Sequence, residues 1–564
     1  MLPLRELNEI YRMACGRSGE WFGSGVLNEM DIRYRVEATD IGKIPRQGPV
    51  VVVANHPFGM VDGLIAATVM LKVRPDVKMI ANYLLGGVER MKEVCLYVDP
   101  FGSSPRNHIA LKEALGWLKR GGALISFPSG EVSCFHARSG RVEDPRWTDT
   151  AARLIRMTNA AALPFYFRGR NSMAFQALGL VHPALRTARL AYEFLDMRGR
   201  VIDLRVGTPI AAAAMAGMST SVATEYLRRR TYVLGSQSVP ARNLAVVAGR
   251  PRPVAAEIGR ARLAENVAQL RSHHLYAEDR DLSAFLAPAE EIPEVLAEIG
   301  RLREVTFRAA GEGTGEPADI DHFDSYYRHL FVWNRAKEEV VGAYRIGDIG
   351  EILGKLGIAG LYTSTLFAYD PRLFACIGAG YELGRSFVRQ EYQRQYAPLL
   401  LLWKAIGRLV SDCPDHAVLF GAVSISREYS RASRELLVHY CGSHLRSHLA
   451  GLVKPRRPFR PRQLREWEVR QLTSLLDPGA LAATIWDVEK NARDIPILLK
   501  HYMKLGGEIL GFNLDKEFSS VVDGLVLVDL RKTNPAMLAR YMGKDGAAAF
   551  LAHGTATRQP ASCA

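Results

Sequence analysis

Short runs of apolar, largely β-branched residues punctuate the first 235 positions, and stretches of helical periodicity separate them. The runs "VVVVAN", "VCLYVD", "ALISFP" and "AALPFYF" predict strands, and "DGLIAATVMLKV", "PRNHIALKEALGWLKRGG" and "TDTAARLIRMTN" predict the helices between them. Strands that are apolar at successive positions, not at alternate ones, belong to a sheet covered on both faces. This region therefore reads as α/β with a largely buried sheet. At the start of the chain, Leu4, Leu7, Ile10 and Tyr11 fall on one side of a short amphipathic helix, expected to pack on its own domain.

The pattern changes after residue 235. "SQSVPARNLAVVAGRPRPVAAEIG", rich in Pro, Arg and Ala, marks a linker placed at 236–264. A second α/β region follows over 265–540 in a different order. "LAEIGRLREVTFRAAG" predicts a helix, and "HLFVWNR" and "EVVGAYRIGD" predict a strand pair around a polar turn. Then come "GYELGRSFV", the helix "APLLLLWKAIGRLV", the strand "AVLFGAVSIS" and a late strand "VDGLVLVDL". The Ala/Gly-rich residues 541–564 read as a frayed tail. The expected fold class is α/β with two domains.

Composition narrows the function. With 564 residues, 48% hydrophobic and 23% charged, the chain is globular and too long for one core. No apolar run is long enough to span a bilayer, and the N-terminus lacks a charged region followed by an apolar one, so no signal peptide is expected. Seven scattered cysteines without a Cys-x-x-Cys pair suit a reducing cytoplasm and supply no metal framework. A net charge of +14 suits nucleic acid, an anionic lipid surface or an acidic protein partner. No zinc-finger, RNA-recognition or helix-turn-helix signature is present, so nucleic acid is not expected.

Candidate chemistry begins at "GPVVVVANHPFGMVDG", residues 48–63, where a buried-looking strand runs into Asn55 and His56, with Asp62 further on. A histidine at the carboxyl end of a buried sheet sits where open α/β sheets place ligands. A carboxylate one turn onward fixes its tautomer and lets it take a proton from a hydroxyl. Two later strands end in comparable turns, "ISFPSGEVS" (125–133) and "AALPFYF" (161–167). These three stretches, in this order and spacing, resemble the lysophospholipid acyltransferase family over roughly residues 1–235. The resemblance implies acyl transfer from a thioester to a hydroxyl. His56 would be the general base, Asp62 its orienting carboxylate, and Asn55, Phe127, Pro128, Gly130 and Glu131 part of the binding turns. Five residues separate His56 from Asp62 where the family has four, so Gly59 must let the loop bulge. Two of the family's arginine positions hold Pro100 and Val132. Without those phosphate-gripping arginines a lipid acceptor lacking phosphate is expected, unless Arg106, Arg138 or Arg141 substitutes.

A second candidate site lies in "GYELGRSFVRQEYQRQYAPLLLLWKAIGRL" (380–409). A strand feeds a basic loop that opens an apolar helix with Pro398 in its first turn, and Arg394 beside the free amides of that N-terminus suits a phosphate. With "GAYRIG", "LYTSTLF" and "YMKLGGEILGF", this stretch resembles the Gcn5-related N-acetyltransferase (GNAT) fold. More narrowly, it looks like that fold's branch of acyl-carrier-protein-dependent ornithine N-acyltransferases and the related acyl-homoserine-lactone synthases. The resemblance makes Glu382 and Arg385 active-site residues and has Arg394, Gln395, Tyr396 and Ala397 cradle the donor's phosphopantetheine phosphate. Elsewhere, "VHYCGSHLRSHL" puts His444 and His448 at i, i+4, but without a further ligand set it reads as a polar helix face and not a metal site.

Together the two halves resemble the bifunctional ornithine lipid synthases of bacteria. That resemblance implies N-acylation of ornithine with a 3-hydroxyacyl chain, then O-acylation of the resulting lyso-lipid. Acyl carrier protein would deliver the chain as a phosphopantetheine thioester, and no other cofactor is called for. Both the acidic carrier and an anionic inner membrane leaflet suit the positive charge, so a cytoplasmic, peripheral location is expected. The rival readings are the same scheme on glycine or glutamine, a phospholipid acyltransferase with a regulatory second domain, and a non-catalytic, haemolysin-like membrane-surface protein.

Overall fold

A computed structural model describes residues 3–16, 21–99, 105–137, 140–236, 252–461, 466–489, 493–515, 518 and 520–556. The chain forms two compact units, 1–237 with 477–492, and 238–476 with 493–564.

The first unit is built on a seven-stranded sheet. Its strands are β1 (Arg33–Arg35), β2 (Val50–Ala54), β3 (Val77–Asn82), β4 (Cys95–Val98), β5 (Ala123–Ser126), β6 (Ala161–Arg168) and β7 (Val201–Val206), in the spatial order β1-β7-β6-β2-β5-β3-β4. The strands from β6 to β4 run parallel, while β7 is antiparallel to β6. β2 lies between β5 and β6, and all five of its residues are buried. That burial is the physical reason for the unbroken valine run. The helix Leu4–Cys15 packs on this unit through Ile10 and Ala14 with Leu7 and Tyr11 half-buried, but Leu4, expected on the same face, is exposed.

One element of this unit comes from far along the chain. The helix Pro478–Val488, expected within the second domain, groups with the first. Its Asp487 is fully buried and lies 3.1 Å from Lys43 and 3.2 Å from Arg230, and it accepts from the Thr208 amide at 2.9 Å and hydroxyl at 2.8 Å.

The second unit holds an eight-stranded sheet. Its strands are β8 (Leu275–Asp279), β9 (Leu282–Pro288), β10 (Arg328–Asn334), β11 (Glu339–Asp348), β12 (Gly380–Val388), β13 (Val418–Ile425), β14 (Glu508–Asp515) and β15 (Val521–Asp529), in the order β8-β9-β10-β11-β12-β13-β15-β14. Every neighbouring pair is antiparallel except β12 and β13. Two expectations change here. Residues 252–259, placed in the linker, hydrogen-bond to Gly315 and Pro317, and the helix Arg260–Leu270 follows them; the linker's residues 237–251 lie outside the described residues. Of the supposed frayed tail, the residues up to 556 are helical, within Pro535–Ala556 and with a kink at Gly543 (φ +78°); Leu538, Tyr541, Ala547 and Phe550 are buried while most of the other alanines stay exposed, and residues 557–564 lie outside the described residues.

Replacing Asp487 by Ala strips the buried Arg230 guanidinium of its carboxylate. Removing one partner of a buried pair costs about 3–5 kcal/mol. Urea unfolding followed on the full chain is expected to show a loss of that size in the first unit, and an unchanged midpoint would contradict the assignment.

Candidate active sites

β2 delivers His56 to the carboxyl end of the sheet, and the turn behind it is organised by one carboxylate oxygen. Asp62 Oδ2 accepts the backbone N–H groups of Phe58 at 2.8 Å and Gly59 at 3.0 Å, and lies 3.1 Å from His56 Nδ1. Asp62 sits in the first turn of the helix Met60–Leu71 and reaches back to its N-cap, Gly59, in a capping box. Gly59 has φ +81°, and a Cβ there would lie 3.3 Å from Val132. The extra residue between His56 and Asp62 is thus absorbed by a left-handed glycine, and the pair stays within hydrogen-bond reach.

The same geometry fixes the tautomer. Oδ2 already accepts two amide protons, so Nδ1 carries the third and donates, leaving Nε2 as the acceptor. Burial pushes the Asp62 carboxyl above its ordinary value, and His56 and the two amides oppose that rise. The His56 ring lies against Phe127 at a tilt of 31°, with centroids 4.2 Å apart.

A second carboxylate braces this turn from behind. Asp144 is buried; its Oδ1 accepts from the His56 backbone N–H at 3.1 Å and the Ser133 hydroxyl at 2.5 Å, and its Oδ2 accepts from Trp147 at 2.9 Å. Ser133 in turn donates its backbone N–H to the His56 carbonyl at 2.8 Å. Asp144 therefore joins the histidine to the "FPSGEVS" turn, a link across 88 residues that nothing in local sequence spacing reveals.

The other expected residues separate by role. Pro128 is buried and anchors its turn through its carbonyl, which accepts from the Thr148 amide at 2.8 Å. Gly130 has φ +68° and is exposed. Glu131 is exposed but held by Arg186 at 2.5 Å. Arg186 is thus a cation that the sequence reading missed, lying 55 residues away from Glu131. Asn55, expected to touch substrate, instead clamps β6, exchanging hydrogen bonds of 2.9 and 2.7 Å with the Phe167 backbone. Val132 is buried against Gly59. Of the suggested substitute arginines, Arg141 is exposed on the strand Arg141–Glu143, while Pro100, Arg138 and the side chain of Arg106 lie outside the described residues.

In the second unit the parallel strands β12 and β13 pair only from Gly380–Val418 to Glu382–Phe420. Beyond that point they part. At the fork the chains touch so closely that a Cβ on Gly421 would meet the Leu383 carbonyl at 2.1 Å. On the other side, β12 bulges against β11 next to Arg385, which has φ +48°. A non-glycine residue held in the left-handed region on a bulged strand re-aims its side chain and marks a constrained site.

Glu382 is buried at the fork and accepts from the Tyr327 hydroxyl, the Thr363 amide at 2.8 Å and the Tyr362 amide at 3.2 Å. The structure thus sets it as the anchor of the turn Tyr362–Thr365. Arg385 lies 3.4 Å from Asp321 and 3.6 Å from Asp319, with its guanidinium over the rings of Tyr362 and Phe518. The same network runs through Arg345 and Arg303 to Asp324; burial alone would raise the Asp324 carboxyl, but the two arginines hold it well below its ordinary range.

Two carboxyls near this fork were absent from the sequence reading. Asp523 on β15 is buried beside β13, accepts from the Ser424 hydroxyl at 2.7 Å, and is pushed up to about 7 by burial and by Asp515, against Ser424 and Arg385. Glu312, just past the helix Pro293–Ala309, is pushed up to about 7 by burial, Asp523 and Glu428. Two carboxyls raised to the operating range of a general base are a functional signal. Neither lies in a motif, so only the fold brings them together.

Arg394, Gln395 and Tyr396 are exposed ahead of the helix Ala397–Asp412, and Ala397 is its first residue. Arg540 lies over the Tyr396 ring at 5.0 Å, adding a cation to this helix start. The stretch 439–448 does not form the helix face expected of it. Its helix ends at His444, which stacks on Tyr440, and His448 opens a separate turn.

Comparison with known proteins follows the same division. Residues 7–241 match the acyltransferase family and residues 302–404 the acetyltransferase (GNAT) domain. The chain is similar to the glycine N(alpha)-acyltransferase of Bacteroides thetaiotaomicron, 30% identical over 299 residues, which are 49% of this chain and 84% of that protein. The chain belongs to the aminolipid acyltransferases. It is also similar to the lyso-glycine lipid O-acyltransferase of Phocaeicola vulgatus, 27% identical over 212 residues, 36% of this chain and 74% of that one. The 1-acyl-sn-glycerophosphate acyltransferase of Thermotoga maritima aligns at 19% identity and a TM-score of 0.26, over 41% of this chain and 80% of its own. This aminolipid acyltransferase thus carries an O-acyltransferase type of domain and a GNAT domain in one chain.

Asp144→Ala is expected to leave the protein folded and to lower O-acyl transfer about 10²-fold by freeing the His56 backbone, since general-base catalysis supplies roughly 10²–10⁴. Asp144→Glu is expected to recover part of that rate. Unaltered turnover in the Ala variant would remove Asp144 from the site.

Proposed function

We propose that the protein builds an aminolipid by two acylations. The GNAT domain transfers a 3-hydroxyacyl chain from the phosphopantetheine thioester of acyl carrier protein to the α-amine of an amino acid. The first domain then esterifies the 3-hydroxyl of that chain. His56 Nε2 takes the hydroxyl proton as the oxygen attacks the second thioester, and the departing thiolate receives a proton in turn. The observation that supports this most is the His56–Asp62 pair at 3.1 Å, a hydroxyl-activating dyad sharing a chain with a GNAT fork.

For the N-acyl step, Asp523 is the residue we assign as proton acceptor, because Glu382 already takes three donors. The amino acid we infer is ornithine. The two carboxyls support a dibasic acceptor: one takes the proton of the attacking amine while the other faces a side-chain ammonium. Glycine is the second reading, supported by the names of the relatives. The net charge of +14 suits an acidic carrier and an anionic inner leaflet.

Purified protein given 3-hydroxyacyl carrier protein and either amino acid is expected to yield lyso-lipid and then diacylated lipid by mass spectrometry, with ornithine the better acceptor. His56→Ala should stop at the lyso-lipid. An ionised base is required for N-acylation, so its rate should fall as pH drops through about 7. Asp523→Asn should lose about 10² in rate and that inflection with it. Full diacylation by His56→Ala, or an unchanged profile for Asp523→Asn, would overturn the corresponding role.

A further inference from the structure

From Arg168 to Tyr192 the chain carries four arginines and no carboxylate. Two helices fill most of this stretch, Met173–Val181 and Pro183–Leu195. The first contains no charged residue, yet its outward side is apolar: Met173 is 70% exposed, Leu180 60% and Val181 76%, and Leu185 on the second helix adds 44%. Phe175 and Gln176 point inward and are buried. A surface helix ordinarily turns its polar side to water, so an apolar outer stripe at i, i+7 and i+8 marks a surface made for something other than water.

We propose that this helical pair is a docking surface for an anionic lipid bilayer, and that it holds the first domain's active site at the membrane. The inference rests on the reading of that domain's acceptor as a lipid. Charge favours a lipid over other occupants. Arg168 and Arg170 at the entry to the pair are exposed, and Arg141, also exposed, lines one surface pocket with Arg170, so positive charge gathers before the first helix. That is the composition of an element lying in the interface of an anionic leaflet, apolar side chains inserted and arginines at the headgroups.

The pair is also coupled to the site. Glu193 ties the helices together by accepting from the Ser172 amide at 2.9 Å and hydroxyl at 2.6 Å. Gln176 accepts from the Phe135 amide at 2.8 Å, next to the turn that bears Phe127. Arg186 holds Glu131, and Leu190 closes over Gly59, 3.7 Å from where a Cβ would stand. The docking surface therefore reaches the turn that presents His56 without any side chain of the dyad being part of it. The helix Leu4–Cys15 also exposes Leu4 and Met13, but it turns Ile10 and Ala14 into the core, and its charged residues Arg5, Glu6, Glu9 and Arg12 are of both signs.

The test uses the full-length protein and the double variant Leu180→Glu, Val181→Glu. Wild-type protein should sediment with vesicles of phosphatidylethanolamine and phosphatidylglycerol, less so as salt rises, and hardly at all with vesicles of phosphatidylcholine alone. The double variant should bind the anionic vesicles at least tenfold more weakly. Its O-acyl transfer to lyso-lipid should stay within twofold of wild type in detergent micelles and drop at least tenfold on vesicles. Equal vesicle binding by both proteins would overturn the proposal. So would a change from dimer to monomer in the variant without loss of vesicle binding, which assigns the stripe to a second copy of the chain. Absence of O-acyl transfer by wild type in micelles counts against the proposed function, while the vesicle arm still decides the surface.

Discussion

The first domain depends on a single buried oxygen. Asp62 Oδ2 gathers the amides of Phe58 and Gly59 and the imidazole of His56, and so it closes the turn, caps the helix and sets the tautomer together. These are not separable functions. A carboxylate that only capped the helix would leave the ring free to rotate, and one that only paired with the ring would leave two amides buried without acceptors. The valines of β2 make this economical arrangement rigid, because a strand buried on both faces and bonded on both edges delivers His56 with little freedom.

The second domain relies on a different constraint, the parting of two parallel strands. β12 and β13 are paired as far as Glu382, whose carboxylate is in turn tied to Tyr327 and to the turn Tyr362–Thr365 by three donors. Past it, the arginine–aspartate network on one side and the Asp523–Ser424 pair on the other face the fork. Ion pairs buried at this depth fix geometry more than they add stability. Glu382 and Arg385 are accordingly tied into the framework of the fork, beside which burial raises the carboxyls of Asp523 and Glu312.

Local pattern carried the sequence reading a long way. The apolar runs mark the buried strands, His56 and Asp62 meet despite an unfamiliar spacing, and the helix after the 389–396 loop begins at Ala397. What stayed hidden depends on contacts between distant residues, for which periodicity holds no signal. Asp487 enters the first unit from the far end of the chain, Arg186 reaches Glu131 across 55 residues, and Asp144 reaches His56 across 88. Asp523 sits in a strand whose other residues are apolar or glycine up to the terminal Asp529, with no flanking motif, so only the pairing with Ser424 reveals it. The alanine-rich C-terminus misled for a related reason. Alanine favours helix without marking which face is buried, and the helix Ala397–Asp412, against which the segment holding Leu538, Tyr541 and Phe550 packs, lies far away in sequence.

Asp62 holds His56 as a base with Nδ1 protonated and Nε2 bare. Nitrogen-15 spectra of the imidazole test it most directly. That tautomer is expected in the wild-type protein near neutral pH, and its loss is expected in Asp62→Asn together with at least a hundredfold fall in O-acyl transfer. A wild-type ring protonated at Nε2, or an Asp62→Asn variant that transfers acyl groups at the full rate, would contradict it.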